Sequence, residues 1–450
     1  MDIKELYKLY QQHPVITTDS RDCPAGSIFI ALKGEAFDGN NFARSALEKG
    51  CSYAIVSEEL RAKSEEFTSD IRSRLIFVDD TLQTFKDLAR EHRRQFDIPV
   101  IGITGTNGKT TTKELISAVL SEKYNVLYTQ GNFNNDVGVP KTLLRLKPEH
   151  EIAVIEMGAS HPGDIKTLVE TVEPTCGLIT NVGRAHLQGF GSFEGVKKTK
   201  GELYDYLKSE ELSVKSEECS GGTVFINADN EHLMEMARER GLKHLVKYGQ
   251  KAEDVAVRGR VTKCDPFLNF EWKKENSSLF TLHSSLIGSY NLDNMLAAIT
   301  VGLQFKVSEQ AICHALENYI PSNNRSQLTI TEHNRLIVDA YNANPTSMAA
   351  ALDNFERMEV SPKMAILGMM GELGDVSQEE HEKVVEHLKN AHFIDVWLVG
   401  KAFADIPCDF RKFNDVEEVK NALKEKRPDN FYILIKGSNS TKLFQLPELL

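Results

Sequence analysis

No uninterrupted apolar run in this 450-residue chain approaches the ~18 residues that a membrane-spanning helix needs, so membrane insertion is not expected. The first residues, MDIKELYKLYQQHP, are polar and lack the apolar core of a secretory signal. The seven cysteines, at positions 23, 51, 176, 219, 264, 313 and 408, form no C-x-x-C pair. An odd, scattered set of this kind reads as reduced thiols in a cytoplasmic protein, and argues against a disulfide frame or zinc site. An excess of basic residues is also missing. The formal net charge is −12, which argues against a non-specific nucleic-acid binder and leaves locally held phosphate ligands open. No repeat with a 20–50-residue period is visible.

What is present is ordinary globular material. AVILMFWYC residues make up 41% and glycines number 29, enough for several cores, and the length suggests two to four domains. Three blocks are expected, at 1–82, 83–320 and 321–450. The first mixes short apolar strands (SIFIAL, YAIV) with a helix near 41–49. The second alternates apolar runs with helical patterns: VIGIT then KTTTKELISAVLSEK, NVLYT then DVGVPKTLLRL, IAVIEM then PGDIKTLVETV, TCGLIT then SFEGVKKTKGELYDYL. That rhythm implies βαβ units and a mostly parallel sheet buried on both faces. Between about 254 and 287 half-alternating strands suggest an antiparallel patch, and helices near 290–303 and 307–319 follow. The third block repeats the α/β pattern with LIVDA, AILGM, DVWLVG and FYILIKG, which predicts a Rossmann-like unit. Pro345 behind Asn344 suits a helix start. Two polar stretches, 58–74 and 208–222, read as solvated surface.

The strongest local signal is GITGTNGKTTT, residues 102–112, between a strand and a helix. Gly105 and Gly108 let the backbone of Thr106 and Asn107 fold tightly, with N–H groups aimed at phosphate oxygens, and the helix N-terminus adds partial positive charge. Lys109 is placed to bridge the β- and γ-phosphates of a bound nucleotide. The Thr110 hydroxyl is placed for Mg²⁺, with Thr111 next to it. The strict pattern wants Gly five positions before Gly108, where this chain has Ile103, so the loop is a compact variant.

Glu156 ends the strand IAVIEM, and carboxyl ends of parallel strands gather ligands. A carboxylate there suits Mg²⁺, with a lysine-paired strand-end Glu as the plain alternative. His186, in NVGRAHL, and Lys200, in KKTKGEL, are by spacing alone an ordinary loop histidine and a solvated helix lysine.

Taken together, TGTNGKTTT, GNFNNDVGVP, EMGASHPGDI, NVGRAHL, KTKGEL, GSYNLDNMLAAI, NRSQ and DAYNANPTSM stand in an order that resembles the Mur ligase family. The N-terminal segment TDSRDCPAGSIFIALKGEAFDGNNFARSALEKG is similar to that family's UDP-binding domain. The resemblance implies three domains: a small α/β UDP-binding domain, a central ATPase domain and a C-terminal ligase domain. It implies an ATP-dependent amide ligase of peptidoglycan precursor synthesis, joining D-alanyl-D-alanine to a UDP-N-acetylmuramoyl-tripeptide. It implies two Mg²⁺ ions held by Thr110, Glu156, His186 and a carbamylated Lys200. It implies Asn291 and Asn294 near the adenine, Asp339 near the ribose and Arg325 on the nucleotide phosphates. It implies Ser20, Arg21, Lys33 and Asp38 for the uridine nucleotide. Asn342 and Asn344 are assigned weakly to the dipeptide or to holding their loop. The catalytic group is then Lys109, Lys200, Arg325 and His186, in a monomer. In GMMGELG, 368–374, relatives commonly carry an acidic residue before the Met.

Three other readings stay open on sequence: a related ligase with another nucleophile, a non-catalytic ATP-binding regulator, and a P-loop kinase of a small acid. Each differs in its products.

Overall fold

The computed structural model describes residues 1–34, 37–210, 222–275, 277–321 and 327–450. Three sheets organise them. The N-terminal sheet has four parallel strands, Ile16–Thr17, Ile28–Ile30, Tyr53–Ser57 and Leu75–Val78, in sequence order. Helix Ile3–Gln12 packs on it and begins at a capping box, in which Asp2 and Glu5 satisfy each other's backbone N–H. The stretch 58–74, read as solvated, contributes Leu60 and Ile71 to this small core.

The central sheet has nine strands. Val100–Thr104 lies between Ile152–Glu156 and Cys176–Ile179, all parallel, with Val126–Tyr128 at one edge. Alternate residues of the strands feed two cores. Ile101, Ile103 and Val154 meet helices Lys109–Ser121 and Asn291–Gln304; Val100, Ala153 and Ile155 meet helices Asp164–Val172 and Phe193–Glu210. Apolar runs without polar alternation are what a sheet covered on both faces requires. Two strands beyond those expected, Thr223–Asn227 and Leu245–Gly249, extend the parallel part. The expected antiparallel patch is Val257–Cys264, Phe267–Lys274 and Phe280–Ile287.

The C-terminal sheet has six strands. Gln327–Ile330 is antiparallel to Arg335–Asp339, and the remaining strands run parallel, with Tyr432–Lys436 in the middle. The fold is therefore α/β throughout. The boundary read at 82/83 falls inside helix Thr81–Arg93, which packs on the N-terminal helix Ile3–Gln12 and on Gly138–Leu143 and Asp164–Val172 of the central unit.

Candidate active site

The carboxyl ends of the central and C-terminal sheets face one cavity of about 640 Å³. From the central unit it is lined by Thr106 to Thr111, Glu156, His186, Asn291 and Asn294; from the C-terminal unit, by Asp339, Asn342 and Lys436. Residues more than 200 positions apart thus share one wall.

The phosphate loop is tightly built. Gly105 has φ +143°, and a Cβ there would stand 2.0 Å from Thr180 Oγ1. Gly108 has φ +77° and packs under Asn294, where a Cβ would lie 2.7 Å from Oδ1. Both positions require glycine. Lys109 Nζ donates to the carbonyls of Gly105 and Thr106, at 2.8 and 3.1 Å, so the cation is folded onto its own loop.

Glu156 is 1% exposed. Its Oε1 accepts from Thr110 Oγ1 at 3.1 Å and Asn134 Nδ2 at 2.8 Å, while Oε2 is buried and finds no hydrogen-bond partner among the described residues. An orphaned carboxylate oxygen beside a threonine hydroxyl is a donor set that fits a hard divalent cation. Among the described residues no three His, Cys, Asp or Glu side chains form a ready metal cluster. His186 lines the cavity in left-handed backbone, φ +50°, with Nδ1 set against the Glu372 carboxylate of the C-terminal unit. Burial pushes its imidazole below the usual value, against the pull of the Glu372 carboxylate.

Lys200 does not line the cavity. It is 2% exposed, with Nζ 3.5 Å from the carbonyl of Ala159, a wall residue, and over the Phe190 ring. Among the described residues it has no carboxylate at ion-pair distance. Burial, and then the charge of Lys109, hold its amine well below the ordinary lysine range.

Three family models match this chain: "Mur ligase family, catalytic domain" over 14–93, "Mur ligase middle domain" over 103–302, and "Mur ligase, glutamate ligase domain" over 324–439. A Synechocystis protein named UDP-N-acetylmuramoyl-tripeptide--D-alanyl-D-alanine ligase is 33% identical, covering 95% of this chain and 90% of its own. The chain belongs to the Mur ligase family. Its structure is similar to a MurF from Acinetobacter baumannii (TM-score 0.84, 28% identity, 98% and 96% of the two chains). It is also similar to a MurF ligase from Thermotoga maritima solved with ADP (TM-score 0.82, 26% identity, 97% of each chain).

Within this Mur ligase the expected residues do not all fall in one place. Thr106 to Thr111 of the loop, Glu156, His186, Asn291, Asn294, Asp339 and Asn342 meet at the cavity, and Gly105 stands just behind it. The amides of Asn291 and Asn294 bond to each other at 2.8 Å, and Asn294 Oδ1 accepts from Thr112 Oγ1 at 3.0 Å. Asn344 is buried and caps helix Pro345–Arg357. Ser20, Arg21, Lys33 and Asp38 lie apart, on loops after the carboxyl ends of N-terminal strands. Arg21 pairs with Asp19 at 2.7 Å, Lys33 with Glu59 at 3.2 Å, and Asp38 caps the turn at Gly39–Phe42. Arg325 lies outside the described residues.

The sequence reading missed Asn134, Glu372 and Lys436. Lys436 is 1% exposed and pairs with Asp339 at 2.5 Å. The signal available was its position as the last residue of the strand in FYILIKG.

Proposed function

We propose that this protein is the ATP-dependent ligase that joins D-alanyl-D-alanine to the terminal carboxylate of UDP-N-acetylmuramoyl-tripeptide, yielding the pentapeptide precursor, ADP and phosphate. The observation that carries this reading is the single cavity that unites a phosphate loop with the strand ends of a second α/β unit. The names of the relatives support the substrates, and the ADP complex of the Thermotoga maritima protein supports the nucleotide.

The tripeptide carboxylate oxygen attacks the γ-phosphorus, and the bond to the β-phosphate oxygen breaks to leave ADP. The amine of the dipeptide, having lost its proton, attacks the acyl carbon. The tetrahedral intermediate collapses with loss of phosphate. Lys109 leaves its loop carbonyls for the phosphate oxygens, where charge stabilisation and alignment supply most of the rate. Thr110 and Glu156 would hold Mg²⁺, with His186 and a carbamylated Lys200 for a second ion, supplying charge neutralisation on the phosphate oxygens. A carbamate forms from a neutral amine and CO₂, and the depressed basicity of Lys200, with no carboxylate at ion-pair distance among the described residues, supports that assignment. Ser20, Arg21, Lys33 and Asp38 would hold the uridine nucleotide on the N-terminal domain, with ATP on the central one and the incoming dipeptide on the third. The described cysteines are all free, in keeping with a cytoplasmic location. Among the described residues no helix is long and apolar enough to cross a membrane.

The test is a product assay with ATP, Mg²⁺ and UDP-muramoyl-tripeptide, with and without D-alanyl-D-alanine. Stoichiometric phosphate and joined pentapeptide, only with the dipeptide, are expected. A stable phosphorylated acid, or nucleotide binding without turnover, would overturn the reading in favour of a kinase or a regulator.

A further inference from the structure

The tip of the phosphate loop is held by another domain. Asn107 donates its N–H to Asn181 Oδ1 at 3.0 Å, and its carbonyl accepts from Thr180 Oγ1 at 2.6 Å and Asn181 Nδ2 at 3.0 Å. Its side chain reaches across to Asn344. Asn344 Nδ2 donates to Asn107 Oδ1 at 2.8 Å, and Asn107 Nδ2 approaches Asn344 Oδ1 at 3.4 Å. A second connection runs beside the first. Gly183 N donates to Thr106 Oγ1 at 2.9 Å, and the next residue, Arg184, donates its N–H to Thr346 Oγ1 at 3.3 Å. The fit is close, since a Cβ on Gly183 would lie 2.9 Å from Thr346 Oγ1.

Asn344 and Thr346 are the N-cap and second residue of helix Pro345–Arg357 in the C-terminal domain. Asn344 Oδ1 already accepts from Ser347 N at 2.9 Å, as a cap needs. Capping uses only the oxygen. The amide nitrogen is spent on Asn107, and it is what distinguishes asparagine from aspartate or serine at this position. The pair is part-buried: Asn344 is 6% exposed, and Asn107 is of intermediate exposure on the cavity wall.

We infer that Asn344 is a positioning residue for phosphoryl transfer: through Asn107 it sets the shape of the phosphate loop when the C-terminal domain docks. The inference rests on the ligase reading above and replaces the assignment of Asn344 to the dipeptide. On this inference, holding ADP on the phosphate loop does not need this contact. The chemical step does, because the loop must be fixed around the reacting phosphate.

Asn344→Ser separates the two roles, because serine caps a helix about as well as asparagine but is too short to reach Asn107. The experiment compares full-length wild type, Asn107→Ala, Asn344→Ser and the double variant. It reads kcat for pentapeptide formation, ADP affinity and melting temperature. Each single variant should lose between roughly tenfold and a hundredfold in kcat, the scale of a misplaced reacting group. ADP affinity of Asn344→Ser should stay within about twofold, and the double variant should be no worse in kcat than either single, as for residues acting through one contact. Losses that multiply in the double variant, wild-type turnover in Asn344→Ser, or a loss carried entirely by ADP affinity would each overturn the inference. Hydrogen exchange of the 105–110 amides in the ADP complex reads the same contact without turnover. Faster exchange in Asn344→Ser is expected, and unchanged exchange sinks the idea even if wild type makes no product. Absence of product from wild type, by contrast, counts against the ligase reading.

Discussion

A buried lysine with no carboxylate at ion-pair distance works against folding, and among the described residues Lys200 is so placed, with Asp164 and Glu202 only partly offsetting its burial. Leaving water penalises the ammonium form, and the nearby charge of Lys109 adds to the penalty. The native state therefore favours the neutral amine, while the unfolded chain keeps a proton up to about the ordinary value of 10.5. Between the depressed native value and that figure the unfolded state binds more protons, so stability rises with pH across the window. Replacing Lys200 by Met removes the titration and keeps the volume. In buffer free of metal and CO₂, Lys200→Met should melt higher than wild type at pH 7, and the gain should shrink toward pH 10. Pentapeptide formation should fall to background in the same variant, a trade of stability for function. An equal gain at both pH values would mean that the amine is not held neutral.

At the scale of elements, the C-terminal sheet turns two strand ends into one charged device. Arg335–Asp339 and Tyr432–Lys436 are parallel neighbours, so in-register pairing sets Asp339 directly beside Lys436. Lys436 is 1% and Asp339 19% exposed at the side chain, and both face the cavity. Removing one member of a buried pair leaves the other uncompensated, at a cost of about 3–5 kcal/mol, whereas replacing both by apolar residues is often neutral. Lys436→Met should therefore lower the unfolding free energy read from urea denaturation by that order. Lys436→Met with Asp339→Leu should recover most of the stability without restoring turnover. A single variant as stable as wild type would show that the pair is not buried in solution. Much of the fold at this scale was legible in the sequence, because strands covered on both faces leave apolar runs that no surface element would carry. Thr223–Asn227 and Leu245–Gly249 were harder to read. The second is half exposed and holds Lys247, paired with Asp254 at 2.6 Å, so it lacks the apolar signature of its neighbours. Lys436 was missed because it closes an apolar run whose pattern says strand and nothing about charge. Asp339 was found only through its motif.

Across the whole molecule, the seam between the central and C-terminal domains is made of contacts that no local pattern predicts. Loop 183–188 meets the C-terminal domain at Thr346, Glu372 and Glu380, and periodicity over a few turns carries no trace of such pairs. Motif order placed these segments in one family site, but their touching is a product of the tertiary fold. Arg184 contributes a measurable handle. Its guanidinium lies 3.2 Å from Glu380, whose side chain is 6% exposed and also holds Lys383 at 2.9 Å. Arg184 itself is 56% exposed, so the ion pair adds little to overall stability. Reversing its sign is a different matter, because a like charge directly opposite a buried carboxylate repels the docked domain. Arg184→Glu should enlarge the radius of gyration of the ATP-bound protein by small-angle scattering and lower turnover. Glu380→Arg in the same chain should reverse both effects. Salt sharpens the test: screening shortens from about 10 Å at 0.1 M to about 3 Å at 1 M ionic strength, so the exposed half of the repulsion should fade and Arg184→Glu should close again as salt rises. If scattering and turnover in Arg184→Glu match wild type at low salt, the seam is not what holds the two domains together during the reaction.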